Sequence, residues 1–168
     1  MNRCTLRRPG RLGRARTALL AAAAVVAQPA WSYTCSLSAT TTAFGIYAPA
    51  SASPNDTTGT ITVTCSADVA SLPITYTLAL SAGGSVSYAT RLMSAGAATL
   101  QYQLYADAAR TSVWGDGTAG TGTVSGGFTL SVINSVSAQH TVYGRMPPLQ
   151  SSAVAGTYSD LVVVTLSY

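Results

Sequence analysis

The chain of 168 residues contains no lysine and no glutamate; its charged side chains are nine arginines and five aspartates. Six of the arginines lie within the first sixteen residues, and beyond residue 32 three arginines face five aspartates, a net charge of −2. Three arginines cannot form a phosphate-neutralising patch, so we expect no nucleic-acid binding by this part of the chain. The lack of Lys and Glu also disfavours coiled coils and helical bundles, whose solvated faces use both residues.

Groups for acid–base chemistry are equally scarce. General acid–base catalysis uses paired titratable groups, and the chain has a single histidine. His140, Asp160 and a serine could be drawn as a triad, but the sequence contains no Gly-x-Ser-x-Gly nucleophile turn. We therefore expect a protein that is not an enzyme and has no cofactor or metal. In this interpretation His140 lies at a strand end, and Asp160 bonds backbone amides. Asp116, between two glycines, is a turn residue, with a calcium ligand as the alternative. Arg91 and Arg145 pair with aspartates.

The N-terminal segment has the layout of a signal peptide. An apolar run of eleven residues, 17–27, follows the arginine-rich stretch. It is too short to cross a membrane but suits a signal-peptide core. Small residues favour cleavage after Ser32, with cleavage after Ala27 or an uncleaved membrane anchor as alternatives. The sequence thus predicts a signal peptide over 1–32 and a secreted domain over 33–168 without a membrane span.

The cysteines predict one disulfide. Cys4 leaves with the signal peptide, so Cys35 and Cys65 remain in an oxidising compartment. Their bond would close a loop of about 31 residues and contribute roughly 3–4 kcal/mol in the chain-entropy model. The alternative is a metal site, but only His140 could join the two thiolates, and there is no Cys-x-x-Cys spacing.

Alternation of apolar and polar residues indicates half-buried β-strands. The alternating stretches are 60–65, 74–81, 100–104 and 128–132, and the breakers between them are 49–59, 83–84, 115–122, 126–127 and 147–148. Only residues 106–110 suggest a helical turn, and the glycine-rich stretch 115–127 suggests a mobile loop. Short strands at this spacing, together with a disulfide, predict an all-β, immunoglobulin-like antiparallel sandwich.

The final stretch, 161–168, is apolar on both faces. Val162, Val164, Leu166 and Tyr168 share one face, and Leu161 and Val163 share the other. A strand of this kind is normally paired on both sides. No later strand follows it in the sequence, so either an internal strand covers it or it is an edge that another chain pairs with.

Several motifs occur in an order that resembles the spore coat protein U family, the secreted pilus-subunit domains of archaic chaperone–usher systems in Gram-negative bacteria. The motifs are Cys35, Phe44-Gly45-Ile46-Tyr47-Ala48-Pro49, residues 59–65, Arg91-Leu92-Met93, residues 100–105, Trp114-Gly115-Asp116-Gly117, residues 142–147 and residues 156–160. The resemblance runs over 34–168 and rests on the combination, since each motif alone is weak.

The resemblance implies an incomplete immunoglobulin-like fold that lacks its final strand. An apolar groove would then run along the C-terminal strand and be lined by Tyr158, Leu161, Val162, Val163, Val164, Leu166 and Tyr168. A periplasmic chaperone fills such a groove first, and a strand from a neighbouring pilus subunit replaces it at the outer-membrane usher. The expected location is the periplasm in transit, and then the cell surface or a fimbria.

The chain departs from the polymerising subunits of that family ahead of Cys35. If cleavage follows Ser32, only Tyr33 and Thr34 precede this cysteine, and if it follows Ala27, seven residues do. Two residues span about 7 Å, whereas a donor strand of five or six needs about 17–20 Å. We expect a subunit that accepts a strand but does not donate one, at a fibre tip or chain end. The alternative function is a self-contained secreted adhesin or binding module, although we expect Trp114 to be structural.

Overall fold

The computed structural model describes residues 33–68, 71–131 and 134–168, so the predicted signal peptide lies outside the described residues. The described part forms eight β-strands and one short 3-10 turn, Gly83–Ser85. The strands are β1 (Tyr33–Ala39), β2 (Asn55–Ala67), β3 (Leu72–Leu80), β4 (Arg91–Ala95), β5 (Ala98–Tyr105), β6 (Val124–Leu130), β7 (Val136–Met146) and β8 (Val164–Ser167).

The strands form two antiparallel sheets with a shared apolar core. One sheet has the order β1-β2-β7-β5-β4 and the other β6-β3-β8. Along β2 the side chains of Ile61, Val63 and Cys65 are buried, while the threonines between them face outward. Leu78 and Leu80 of β3 meet them from the second sheet. The predicted all-β antiparallel sandwich is therefore confirmed, and the two-residue alternation gives its inward faces.

The predicted disulfide joins the first two strands. Cys35 and Cys65 are direct partners in the β1–β2 ladder, with an S–S distance of 2.03 Å and a Cα–Cα distance of 4.1 Å. Cys65 is fully buried. The bond therefore ties β1, at the edge of the five-stranded sheet, to the core.

Two expectations from the glycine and alanine pattern are wrong. Gly126 and Gly127 do not break a strand but lie inside β6. A Cβ on Gly126 would come within 2.4 Å of the Tyr76 hydroxyl, so the close approach of that ring requires glycine. Residues 106–110 form a turn without helix, because the Asp107 carboxylate accepts the amide hydrogens of Thr111 and Ser112.

Candidate functional site

A groove with a volume of about 1070 Å³ opens between two chain segments, 39–47 and 153–164. Its floor belongs to the core and comes from β2, β3, β5 and β7. The floor side chains are Ile61, Leu80, Leu100, Leu104, Val142 and Met146. The groove is therefore an opening into the space between the two sheets, where a further strand would lie in a closed sandwich.

The first wall, residues 40–46, follows β1 but belongs to no strand. The amide of Thr40 still donates to the Thr60 carbonyl at 2.9 Å. Beyond it, side chains of β2 replace the ladder: Thr57 donates through its hydroxyl to the Ala43 carbonyl, and Asn55 donates to the Phe44 carbonyl. Polar side chains thus hold this wall at a distance from β2 that excludes regular pairing.

The second wall, residues 158–163, is pinned by polar contacts at intervals. The amides of Ser159 and Ser94 each donate to the other residue's carbonyl, at 3.1 and 2.9 Å. The Asp160 carboxylate accepts the Gly84 amide at 2.8 Å and the Tyr102 hydroxyl at 2.6 Å. Burial, with this carboxylate as a second cause, raises the pKa of Tyr102. Asp160 therefore bonds backbone amides, as predicted, and also fixes the wall to the groove floor.

The strand β8 continues this wall and has one partner strand among the residues that the structure describes. It pairs with β3, and its other side borders the groove. Only 164–167 are strand, shorter than the predicted 161–168. The Ser81 amide still donates to the Val163 carbonyl at 2.9 Å, but the Val163 amide donates to the Ser81 hydroxyl instead of a backbone carbonyl, and the regular ladder ends there. Leu161 and Val163 are exposed at 80% and 56%, so the second apolar face is uncovered.

The sequence-predicted groove residues separate into two groups. Tyr158, Leu161, Val162 and Val164 line the groove, whereas Val163, Leu166 and Tyr168 do not. Val163 faces away from the core. Leu166 packs against the core, beyond the end of the groove. The Tyr168 ring lies 5.7 Å from the Tyr33 ring, which brings the end of β8 beside the start of β1.

Sequence reasoning missed the first wall and the floor. Phe44 and Tyr102 line the groove with their rings 5.9 Å apart, edge to face, and Met93 also lines it. Phe44 belongs to one of the motifs that carry the family resemblance, and that motif is the sequence feature that could have indicated the first wall. The floor residues occupy inward positions of the alternating strands, but alternation alone does not show which inward positions remain uncovered.

The hypothetical catalytic groups have other partners. His140 lies inside β7, not at a strand end, and faces the core. Its Nε2 atom is 2.8 Å from the Tyr76 hydroxyl of the opposite sheet, and burial lowers the pKa of this histidine. Asp160 is occupied by Tyr102 and Gly84. The two residues of the hypothetical triad therefore serve separate inter-element contacts.

Only one of the two expected arginine–aspartate pairs forms. Arg145 donates to both carboxylate oxygens of Asp56, at 2.7 and 2.8 Å, and this bonding lowers the pKa of Asp56. Arg91 is fully buried, and its hydrogen-bond partners are uncharged: the carbonyls of Ser81 and Trp114 and the side chain of Gln103. The expected pairing of Arg91 is wrong because strand β4 directs it inward between loop carbonyls.

The loop around Trp114 is structural. Trp114 is fully buried, and its indole N–H donates to the Leu78 carbonyl at 3.1 Å. Asp116 accepts the amide and the hydroxyl of Thr118, so it is a turn residue. Across 33–68, 71–131 and 134–168, no group of three potential metal ligands assembles. The same ranges hold no helix with the length and hydrophobicity of a membrane span.

Comparisons with known proteins agree with this architecture. A family model described as the Spore Coat Protein U domain matches residues 21–165. Among solved structures, the chain is similar to one in the CsuC–CsuE chaperone–tip adhesion subunit pre-assembly complex from the archaic chaperone–usher Csu pili of Acinetobacter baumannii. The identity is 18% and the TM-score 0.53, over 81% of this chain and 40% of that one, which shows the fold alone. No curated protein matches.

Proposed function

The chain belongs to the Spore Coat Protein U domain family, and on that premise we propose that it is a non-catalytic structural subunit of a surface fibre assembled by the chaperone–usher route. Its groove accepts a β-strand from another chain, supplied first by a periplasmic chaperone and then by a neighbouring subunit. The observation that carries this proposal is the groove of about 1070 Å³, whose apolar floor is open beside β8.

The wall geometry suits strand addition. The second wall from 158 to 164 borders the groove, and seven residues of extended backbone span roughly 23 Å, room for a strand of about seven residues. An added strand would pair with the open side of β8 through its backbone and place alternate side chains on the floor. Each apolar side chain buried there would contribute roughly 1.5–3 kcal/mol. A donor with apolar residues at every second position is therefore the expected ligand.

The same proposal names the partners and the location. A pilus chaperone, an outer-membrane usher and neighbouring subunits are the expected partners, and the route leads from the periplasm to the cell surface. The support is the family membership, together with the similarity to a chain in a chaperone–subunit complex. The engagement of His140 and Asp160 in inter-element contacts supports a role without catalysis.

A tip position is a finer part of the proposal. The strand β1 already pairs with β2 from Tyr33 onward, so any donor segment would have to precede Tyr33. With cleavage after Ser32 no such segment remains, and the subunit would accept a strand without donating one. Mass spectrometry of the mature N-terminus tests this point. A mature chain with ten or more residues ahead of Cys35 would reassign it to the fibre shaft.

The groove is tested with a charge placed inside it. We expect Val164→Asp to abolish recovery of the soluble subunit with its co-produced chaperone, because the carboxylate would be buried against the apolar floor. Thr165→Asp is the matched control, since Thr165 is the next residue on β8 and faces solvent. The readout is the amount of subunit that co-purifies with the chaperone.

Equal chaperone-bound recovery of both variants would contradict strand acceptance. A wild-type mature chain that is a stable monomer without any chaperone would contradict it as well. Either result would favour the self-contained secreted binding module. In that case the groove would not be a binding site for a strand of a second chain.

A further inference from the structure

A second open strand edge lies outside the groove. Within the described part of the chain, the strand β1 ends the five-stranded sheet and pairs on one side only, with seven consecutive partners in β2. The groove lining begins at Ala39, so positions 33–38 do not belong to it. Six of the seven residues of β1 therefore lie outside the proposed acceptor groove, and Ala39 belongs to both.

The other three sheet edges are covered or weak. The edge of β4 is bridged by Ser159, and β8 borders the groove. The edge strand β6 contains Gly126 and Gly127, which offer no side chain to a neighbour. By contrast, β1 has the sequence YTCSLSA, without charge, proline or glycine, and its register with β2 has no bulge. Proteins usually protect a free strand edge with a charged side chain, a proline, a bulge or a covering segment.

The ladder geometry shows which backbone groups are open. The Cα atoms of Cys35 and Cys65 are 4.1 Å apart, the spacing of a pair that does not exchange hydrogen bonds. In agreement, the Thr40 amide donates to the Thr60 carbonyl, so even-numbered residues face β2. The N–H and C=O groups of Tyr33, Cys35, Leu37 and Ala39 therefore point to the open edge.

We propose that β1 pairs antiparallel with β1 of a second copy of this chain, across a two-fold axis at Ser36. In that register Cys35 lies opposite Leu37 of the second copy, and Tyr33 lies opposite Ala39. All four residues are ones whose backbone groups point outward, so each opposed pair exchanges two N–H···O bonds. A register shifted by one residue would oppose an outward-pointing residue to an inward-pointing one and lose these bonds.

The side chains are self-complementary in the same register. Thr34, Ser36 and Ser38 are exposed on the outer face, and Thr34 comes opposite Ser38. On the inner face the half-buried Cys35 and Leu37 continue the core side of the sheet. In the β2–β7 ladder, the ion pair of Asp56 and Arg145 lies beyond the β1 register, and the exposed Asp68 follows the end of β2. The strand β1 itself carries no charge, so no like charges lie directly opposite each other in the proposed pair.

The two-fold axis makes position 36 face itself, which gives a charge-complementation test. The mature wild-type chain should show a concentration-dependent dimer in sedimentation equilibrium, studied together with its chaperone so that the groove is filled. Ser36→Lys alone and Ser36→Asp alone should each weaken the dimer about five-fold, since like charges would lie directly opposite. An equimolar mixture of the two variants should restore dimer to at least the wild-type level.

Thr62→Lys is the control, because Thr62 lies on the same outer face but on β2, one strand away from the edge. It should leave the dimer unchanged. A wild-type chain that stays monomeric at every accessible concentration would overturn the proposal. An association that both Ser36 variants retain, or that the mixture does not restore, would also overturn it and would assign the contact to another surface such as the groove.

Discussion

At the scale of single residues, two polar side chains organise the space between the sheets. Arg91 bonds carbonyls of two loops, at Ser81 and Trp114, and so joins the edge strand β4 to the turns near the groove. Burial lowers the pKa of Arg91, the mark of a charge held away from water. His140 and Tyr76 bond one sheet to the other. Although the sequence has few charged or titratable side chains, these two residues hold separate parts of the fold together.

We expect Arg91→Met to lower the free energy of unfolding by about 2 kcal/mol, because the replacement fills similar space but leaves buried carbonyls without donors. Arg145→Met is the comparison, since its ion pair is partly exposed and should change stability by less than about 1 kcal/mol. Urea unfolding followed by tryptophan fluorescence measures both. An Arg91→Met variant as stable as wild type would show that its hydrogen bonds only offset the cost of burying the charge.

His140 predicts a pH dependence of stability. Burial lowers its pKa in the folded state below the ordinary value of 6.5, so the unfolded chain binds the proton more readily. The free energy of unfolding should be independent of His140 protonation above pH 6.5. It should fall as the pH drops below 6.5, until the histidine of the folded chain is also protonated. His140→Gln should remove this slope while keeping a hydrogen-bonding side chain near Tyr76. The same slope in both proteins would assign it to another group.

At the scale of elements, the sequence predicts the position of a segment when neighbouring residues determine it, and fails when contacts with distant parts of the chain determine it. Ile61, Val63 and Cys65 face the core because every second residue of a strand does, and the sequence pattern shows this directly. The first groove wall could not be predicted, because Thr57 and Asn55 hold it from a distant part of the chain. The same holds for Gly126, whose requirement comes from the Tyr76 ring on another strand.

The element most dependent on a covalent bond is β1. Replacing both Cys35 and Cys65 by alanine should lower the free energy of unfolding by about 3 kcal/mol, since the closed loop no longer restricts the unfolded chain. The edge strand should then exchange its amide hydrogens faster than β2. Loss of stability without faster exchange in β1 would show that the strand holds its place without the bond. A free-thiol assay on the denatured mature protein should detect no reactive thiol.

At the scale of the whole molecule, the described part of the chain is a sandwich of two sheets with an open groove between them. The groove has an apolar floor and two walls held by polar contacts, and the exposed Leu161 lies at its rim. The neutral edge of β1 is a separate opening. The proposed function places a partner's strand in the groove, and the proposed self-association places a second copy at the β1 edge, so the two proposals concern different surfaces.

The measurement that tests strand acceptance most directly is hydrogen–deuterium exchange of the mature chain, free and in complex with its chaperone. Amides of the two walls, within 41–46 and 162–166, should gain protection in the complex, because the added strand would pair with both walls. The amides of Thr40 and Val163 already donate to Thr60 and Ser81 and should change least. The amides of 33–38 should be unchanged, since they lie outside the groove. Protection confined to other parts of the chain, with both walls still exchanging freely, would contradict the account.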